Sequence, residues 1–136
     1  MAKPLNILVD ADALVAIAKK TDSNHKRALT VSQKIKTATA YITPFTIPEA
    51  ATVISHKVSQ IEAKNFLIDA RKRQLIEILL SPEITQVADE IFLSQGAKGT
   101  SWVDCLNVAV IKTKKLDAIF SFDKFYKKLG LRTFPS

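Results

Sequence analysis

A chain of 136 residues has room for one compact core but not for two, since a second would leave each half too little buried surface. With 47% hydrophobic residues and three glycines it is not a disordered chain, and no apolar run reaches the length of a membrane span. One cysteine, Cys105, excludes an internal disulfide, and a formal charge of +7 narrows the partners to polyanions such as RNA or acidic protein segments without naming a reaction. The opening Met1-Ala2-Lys3-Pro4-Leu5-Asn6 lacks the apolar core and cleavage site of a signal peptide, so a reducing cytoplasm is the expected compartment.

Leu5 to Val9 is a short apolar run that ends at acidic residues, as a buried parallel strand would. A helix is expected over Ala11–Lys20, and a second, capped by Asp22 or Ser23, to about Lys36. Ala40–Ile42 reads as a second strand, closed by Thr43-Pro44. Thr46-Ile47-Pro48-Glu49 is a helix start in which Thr46 serves as N-cap and Glu49 completes a capping box. Ser59 begins the next helix, which ends near Arg73. Leu75–Leu79 reads as a third strand, and Ser81-Pro82-Glu83 opens another helix. Gly96 and Gly99 mark a loop before a helix over Trp102–Lys115. Ala118–Phe120 is a fourth strand, followed by a short basic helix stopped at Gly130 and an edge strand within Leu131–Phe134. The alternation implies an α/β fold: one domain over residues 1–136, with a central parallel sheet of four or five strands and helices on both faces. In such sheets function gathers beyond the carboxyl ends of the strands.

Four acids fall near that end. Asp10 follows the first strand, Glu49 the second, Asp123 comes three residues after the fourth, and Asp104 starts the helix that feeds the fourth. Each has a structural explanation as well, because carboxylates are favoured at helix N-termini. Glu49 fits its capping box, and Asp104 completes a cap pattern with Ser101. Two settings argue for chemistry. Asp10 has no basic residue after it until Lys19, and Asp104 lies in an apolar helix without a cation until Lys112. A partly buried carboxylate needs a hydrogen bond, a cation or a raised pKa, and for several crowded together a divalent metal is the economical solution; ligands of this type without histidine or cysteine suit Mg2+ or Mn2+. His25 and His56 lack metal-site spacing and are expected at the surface or in local hydrogen bonds; Cys105 is expected as a small buried side chain.

Ile7-Leu8-Val9-Asp10-Ala11-Asp12-Ala13-Leu14, Thr46-Ile47-Pro48-Glu49-Ala50-Ala51, Val103-Asp104-Cys105-Leu106-Asn107-Val108-Ala109 and Ile119-Phe120-Ser121-Phe122-Asp123-Lys124-Phe125 together resemble the PIN domains, particularly the VapC-like toxins of toxin–antitoxin pairs. The likeness spans essentially the whole chain and implies a metal-dependent endoribonuclease. By that resemblance Asp10, Asp104 and Asp123 hold one or two Mg2+ or Mn2+ ions, and Glu49 binds a second ion or orients the attacking water. Ser121 hydrogen-bonds the cluster, with Asp12 and Asn107 as further supporting residues. Asp12 departs from the usual Asn, Ser or Thr, and either adds a ligand charge or caps the first helix, with capping favoured. The resemblance also implies an RNA substrate, an antitoxin partner and a homodimer, the last through apolar residues such as Leu29, Val31, Ile54, Val58, Phe66 and Leu67 if they exceed what the core needs. Two alternatives stand beside it. A haloacid dehalogenase-like phosphatase would use Asp10-Ala11-Asp12, although Leu14 replaces the usual hydroxyl residue and no later paired-aspartate motif is visible. A PIN-like module that binds RNA or protein without catalysis is the other.

Overall fold

The run Asn6–Val9 forms the central strand, β1, and its apolar content follows from its place: Ile7, Leu8 and Val9 are all buried, as a strand covered on both faces requires. The computed structural model describes residues 3–136, so the expectation for Met1 and Ala2 lies outside it. β1 pairs in parallel with β2 (Thr39–Ile42) on one side and with β4 (Ala118–Phe120) on the other. β3 (Ile76–Glu77) and β5 (Thr133–Phe134) close the two edges, giving a five-stranded parallel sheet of order β3-β2-β1-β4-β5.

Side chains of successive strand residues point to opposite faces, and this alternation divides the core in two. Ile7, Val9, Ala118 and Phe120 pack with α1 (Ala11–Ala18), α2 (His25–Lys34), α3 (Thr46–Lys57) and α4 (Gln60–Lys72). Leu8 and Ile119 face the other way, against α5 (Pro82–Leu93), α6 (Trp102–Lys114) and Tyr126 of α7 (Phe125–Lys128). Seven successive residues of α6, Cys105 to Ile111, are buried, so this helix is covered nearly all round, as its apolar sequence implies. Among the described residues no helix is long and apolar enough to cross a membrane.

Ser59, Ser81 and Ser101 cap α4, α5 and α6 by accepting backbone N–H groups of Glu62, Ile84 and Val103. Elsewhere the caps differ from expectation. The first helix stops at Ala18, two residues short, and the second starts at His25 behind Asn24, with no side-chain cap. Asp22 turns its carboxylate to the Asn24 N–H instead, tightening the preceding loop. Thr46 does not cap α3. It is the first helical residue, and its hydroxyl accepts the buried Thr43 N–H at 3.1 Å, so the expected capping box is absent. The third strand shrinks from five expected residues to two, both exposed, because it lies at an edge with β2 alone beside it.

Candidate active site

Strand direction assembles the acids. Asp10 immediately follows β1, and its backbone N–H continues the ladder to the Phe120 carbonyl of β4 at 2.9 Å. Ser121, the residue just after β4, is therefore its lateral neighbour, and the Ser121 hydroxyl donates to Asp10 Oδ2 at 2.9 Å. Asp10 Oδ1 accepts the Ala11 N–H at 2.8 Å, which makes Asp10 the N-cap of α1. The same oxygen accepts Asn107 Nδ2 of α6 at 3.3 Å. Asp10, Asn107 and Ser121 are 6%, 2% and 3% exposed, so this triplet is held within the protein body.

Asp12 is not a cap, contrary to the favoured expectation. As the second residue of α1 it reaches across to the turn after β4, where its Oδ2 accepts the Phe122 N–H at 3.0 Å and faces the Ser121 hydroxyl at 3.3 Å. Its Oδ1 is buried without a partner among the described residues. Asp104, in the first turn of α6, does not reach back to the Ser101 cap either; its Oδ1 accepts the Tyr126 hydroxyl at 3.1 Å. Asp123 is exposed beyond β4 and holds the turn into α7 by accepting the Phe125 N–H at 2.9 Å. Glu49, one turn into α3, is exposed at the rim, and with the capping box gone no helix-end bond accounts for it.

All four acids expected at the site, and Asp12 with them, line one cleft of ≈ 320 Å³, together with Asp22, Asn24, Lys57 and Ser101. Asn107 and Ser121 lie beneath, bonded to Asp10. A larger cavity of ≈ 500 Å³ lies between α1, α3 and α4, where Arg73, Lys19 and Lys20 meet apolar walls and none of the four acids is present. The carboxylates converge on the smaller cleft, which makes it the candidate site.

Crowding shows in their acidity. Burial pushes Asp10 above its ordinary value against the opposing bonds from Ser121 and Ala11. Burial first, then the Asp10 charge, raises Asp12 to about 7. Asp104 also rises to about 7, through burial, then Asp10 and Asp123. Glu49 is raised by partial desolvation and by Asp10. Cations do not relieve this: among the described residues the ion pair is Arg71–Glu77 at 3.5 Å, on the surface away from the cleft. The donor set is all oxygen, as hard divalent ions prefer, and the unpartnered Asp12 Oδ1 supplies a free lone pair among them. The residues therefore fit Mg2+ or Mn2+ in kind. Among the described residues, however, no three ligating groups stand close enough to enclose an ion as they are, so holding one requires the side chains to draw together.

His25 Nδ1 bonds the Ala16 carbonyl at 2.7 Å, His56 is exposed, and Cys105 is a buried free thiol, each as the sequence suggested. Tyr126 was not expected at the site. It stands three residues beyond Asp123 in a lysine-rich stretch, and an aromatic with a polar tip in that position was its one sequence signal.

A family model described as PIN domain matches residues 7–130. No curated protein matches the sequence significantly. Among solved structures the chain is similar to VapC20 of Mycobacterium tuberculosis, described as a sarcin–ricin loop cleaving toxin, with a TM-score of 0.83 and 17% identity over 93% of this chain and 96% of that one. It is also similar to VapBC2 from Rickettsia felis bound to a fragment of promoter DNA, at a TM-score of 0.67 and 15% identity over 95% and 97%. FitAcB from Neisseria gonorrhoeae gives a TM-score of 0.69 at 10% identity over 93% and 95%. At such identities the likeness to these structures shows the fold. The family match removes the haloacid dehalogenase alternative, and Asp12, bonded into the turn after β4, serves a different architecture.

Proposed function

The chain belongs to the PIN-domain family, and from that premise we propose that it is a metal-dependent endoribonuclease, the cytoplasmic toxin of a toxin–antitoxin pair. The observation that carries the reading is the convergence of Asp10, Glu49, Asp104 and Asp123 on one cleft at the carboxyl ends of β1 and β4, with no cation among the described residues paired to them. Asp10, Asp104 and Asp123 would hold one or two Mg2+ or Mn2+ ions, with Glu49 at the rim. When bound, such an ion supplies positive charge against a phosphodiester and lowers the pKa of a coordinated water.

The rest is the work of the chain. Ser121, Ala11 and Asn107 fix Asp10 by three hydrogen bonds, so the most buried carboxylate has little freedom to turn. Glu49 is exposed on the facing helix and can orient a water or accept its proton. Lys57, at the cleft wall, and the overall charge of +7 favour a polyanion, and the description of VapC20 as a sarcin–ricin loop cleaving toxin supports RNA as that substrate. An antitoxin partner is supported by the likeness to VapBC2. A homodimer is supported by apolar residues beyond core needs: Val31 and Ile54 are buried and Phe66 partly so, whereas Leu29, Val58 and Leu67 are 45%, 46% and 39% exposed.

Purified protein and Asp10→Asn, incubated with structured RNA in Mg2+, Mn2+ or chelator, test the reading. The wild type should cut only with metal, and the variant should not cut. Equal behaviour of the two would leave a PIN-like module that binds without catalysis.

A further inference from the structure

Beneath the acids lies a hydrogen-bonded relay that the four carboxylates do not explain. Tyr126 is fully buried at 0% exposure, and its hydroxyl touches two side chains rather than a backbone carbonyl. It accepts Asn107 Nδ2 at 2.9 Å and donates to Asp104 Oδ1 at 3.1 Å. Asn107 Nδ2 also serves Asp10 Oδ1 at 3.3 Å.

Chemistry fixes the direction of this chain when the acids are ionised. A carboxylate only accepts, so the amide nitrogen of Asn107 must face Asp10, and its second N–H then points at the tyrosine oxygen. The single phenolic proton is left for Asp104, with Asp10 also acting on the hydroxyl. The arrangement leaves Asn107 Oδ1 buried without a partner among the described residues, a cost that the amide bears by giving both N–H groups to the relay. A tyrosine serving only the core would need one acceptor of any kind. This one spans the end of β1 and the start of α6, the two elements that carry Asp10 and Asp104.

We propose that Tyr126 is a positioning residue, which through its hydroxyl and Asn107 limits how Asp10 and Asp104 turn relative to each other as the cleft draws together on a divalent ion. The inference rests on the metal-dependent reading above and deepens it. Partners that orient metal-ligating side chains are worth about 10–100-fold in metal affinity or activity.

The test is Mn2+ binding to Tyr126→Phe, by calorimetry and by electron paramagnetic resonance of free Mn2+, beside RNA cleavage. Phenylalanine keeps the ring and its edge contact with Phe125, 5.4 Å between centroids. The Mn2+ dissociation constant should rise about 10-fold or more, and kcat should fall at saturating Mn2+ while the KM for RNA stays put. Phe125→Leu, which disturbs packing of the same helix without touching the hydroxyl, should bind Mn2+ like the wild type. Wild-type Mn2+ affinity in Tyr126→Phe overturns the proposal while leaving the nuclease reading intact. Equal weakening in Phe125→Leu, or failure of Tyr126→Phe to fold, assigns Tyr126 to packing and overturns it too. A wild type that neither binds Mn2+ nor cuts RNA overturns both.

Discussion

Stripping divalent ions and raising the pH from about 5 to about 8 should destabilise this protein, against the usual behaviour of paired carboxylates. The sign follows from the direction of the shifts. Asp12 and Asp104 have folded values raised to about 7 from an ordinary 3.8, so between those limits the folded chain holds protons that the unfolded chain has released. Their contribution is fully present below the unfolded value and is lost as pH rises through about 7. For Asp12 the full shift corresponds to about 4 kcal/mol, at ~1.4 kcal/mol for each tenfold in proton affinity, of which roughly 2.5 kcal/mol is lost between pH 5 and pH 8 because the unfolded carboxyl is already mostly ionised at pH 5. Asp104 is more open to solvent, and screening leaves it a smaller share. At ~4 °C per kcal/mol for a domain of this size, the melting temperature in chelator should fall by about 10–15 °C between the two pH values. Mn2+ at about 100 times its dissociation constant should return ~2.7 kcal/mol at the higher pH, and far less at the lower, where the carboxyls are protonated. Thermal melting followed by dye fluorescence reads both effects. Asp12→Asn isolates the cause: it should melt higher than the wild type at pH 8 in chelator and show a flatter profile. A wild-type melting temperature that rises with pH, or an Asp12→Asn profile as steep as the wild type's, would refute the reasoning.

Three further outcomes follow from particular contacts. Ser121→Ala removes a hydroxyl that serves both Asp10 and Asp12; Mn2+ affinity measured by calorimetry should drop about 10–100-fold, with ~1–3 kcal/mol lost in denaturant unfolding. Glu49→Gln, at the exposed rim, should lower kcat for RNA cleavage while changing melting temperature by less than ~0.5 kcal/mol equivalent, as expected for a surface substitution. Leu8→Ala, in the fully buried central strand, should cost about 2–5 kcal/mol in urea unfolding without selectively changing Mn2+ affinity per folded molecule.

Much of the fold was legible because its signals are local. An apolar run broken by Asp10 is what a central parallel strand buried on both faces demands, and the unbroken apolar stretch after Asp104 marks a helix covered all round. Serine caps at Ser59, Ser81 and Ser101 act over two or three residues and were readable for the same reason. What escaped was decided by long-range competition. Thr46 looked like a cap, but the buried Thr43 N–H claimed its oxygen. Asp12 looked like a cap too, yet Asp10 held that place and the Phe122 N–H, 110 residues away, took the second carboxylate. Tyr126 passed as part of a basic helix because its meaning depends on Asn107 and Asp104, which share no local pattern with it.

The loop of Gly96, Ala97, Lys98 and Gly99 is exposed and lies between α5 and α6. A single cut there divides the carboxylates between two fragments: Asp10, Asp12 and Glu49 remain in the first, Asp104 and Asp123 in the second, with Tyr126. Neither piece holds a complete set, and the central sheet is severed between β1 and β4. Reunion must drive like charges together, and the burial of the apolar faces of those two strands is what opposes that repulsion. The loop is thus a place where the site can be dismantled, and its reassembly timed, without altering any residue that lines it.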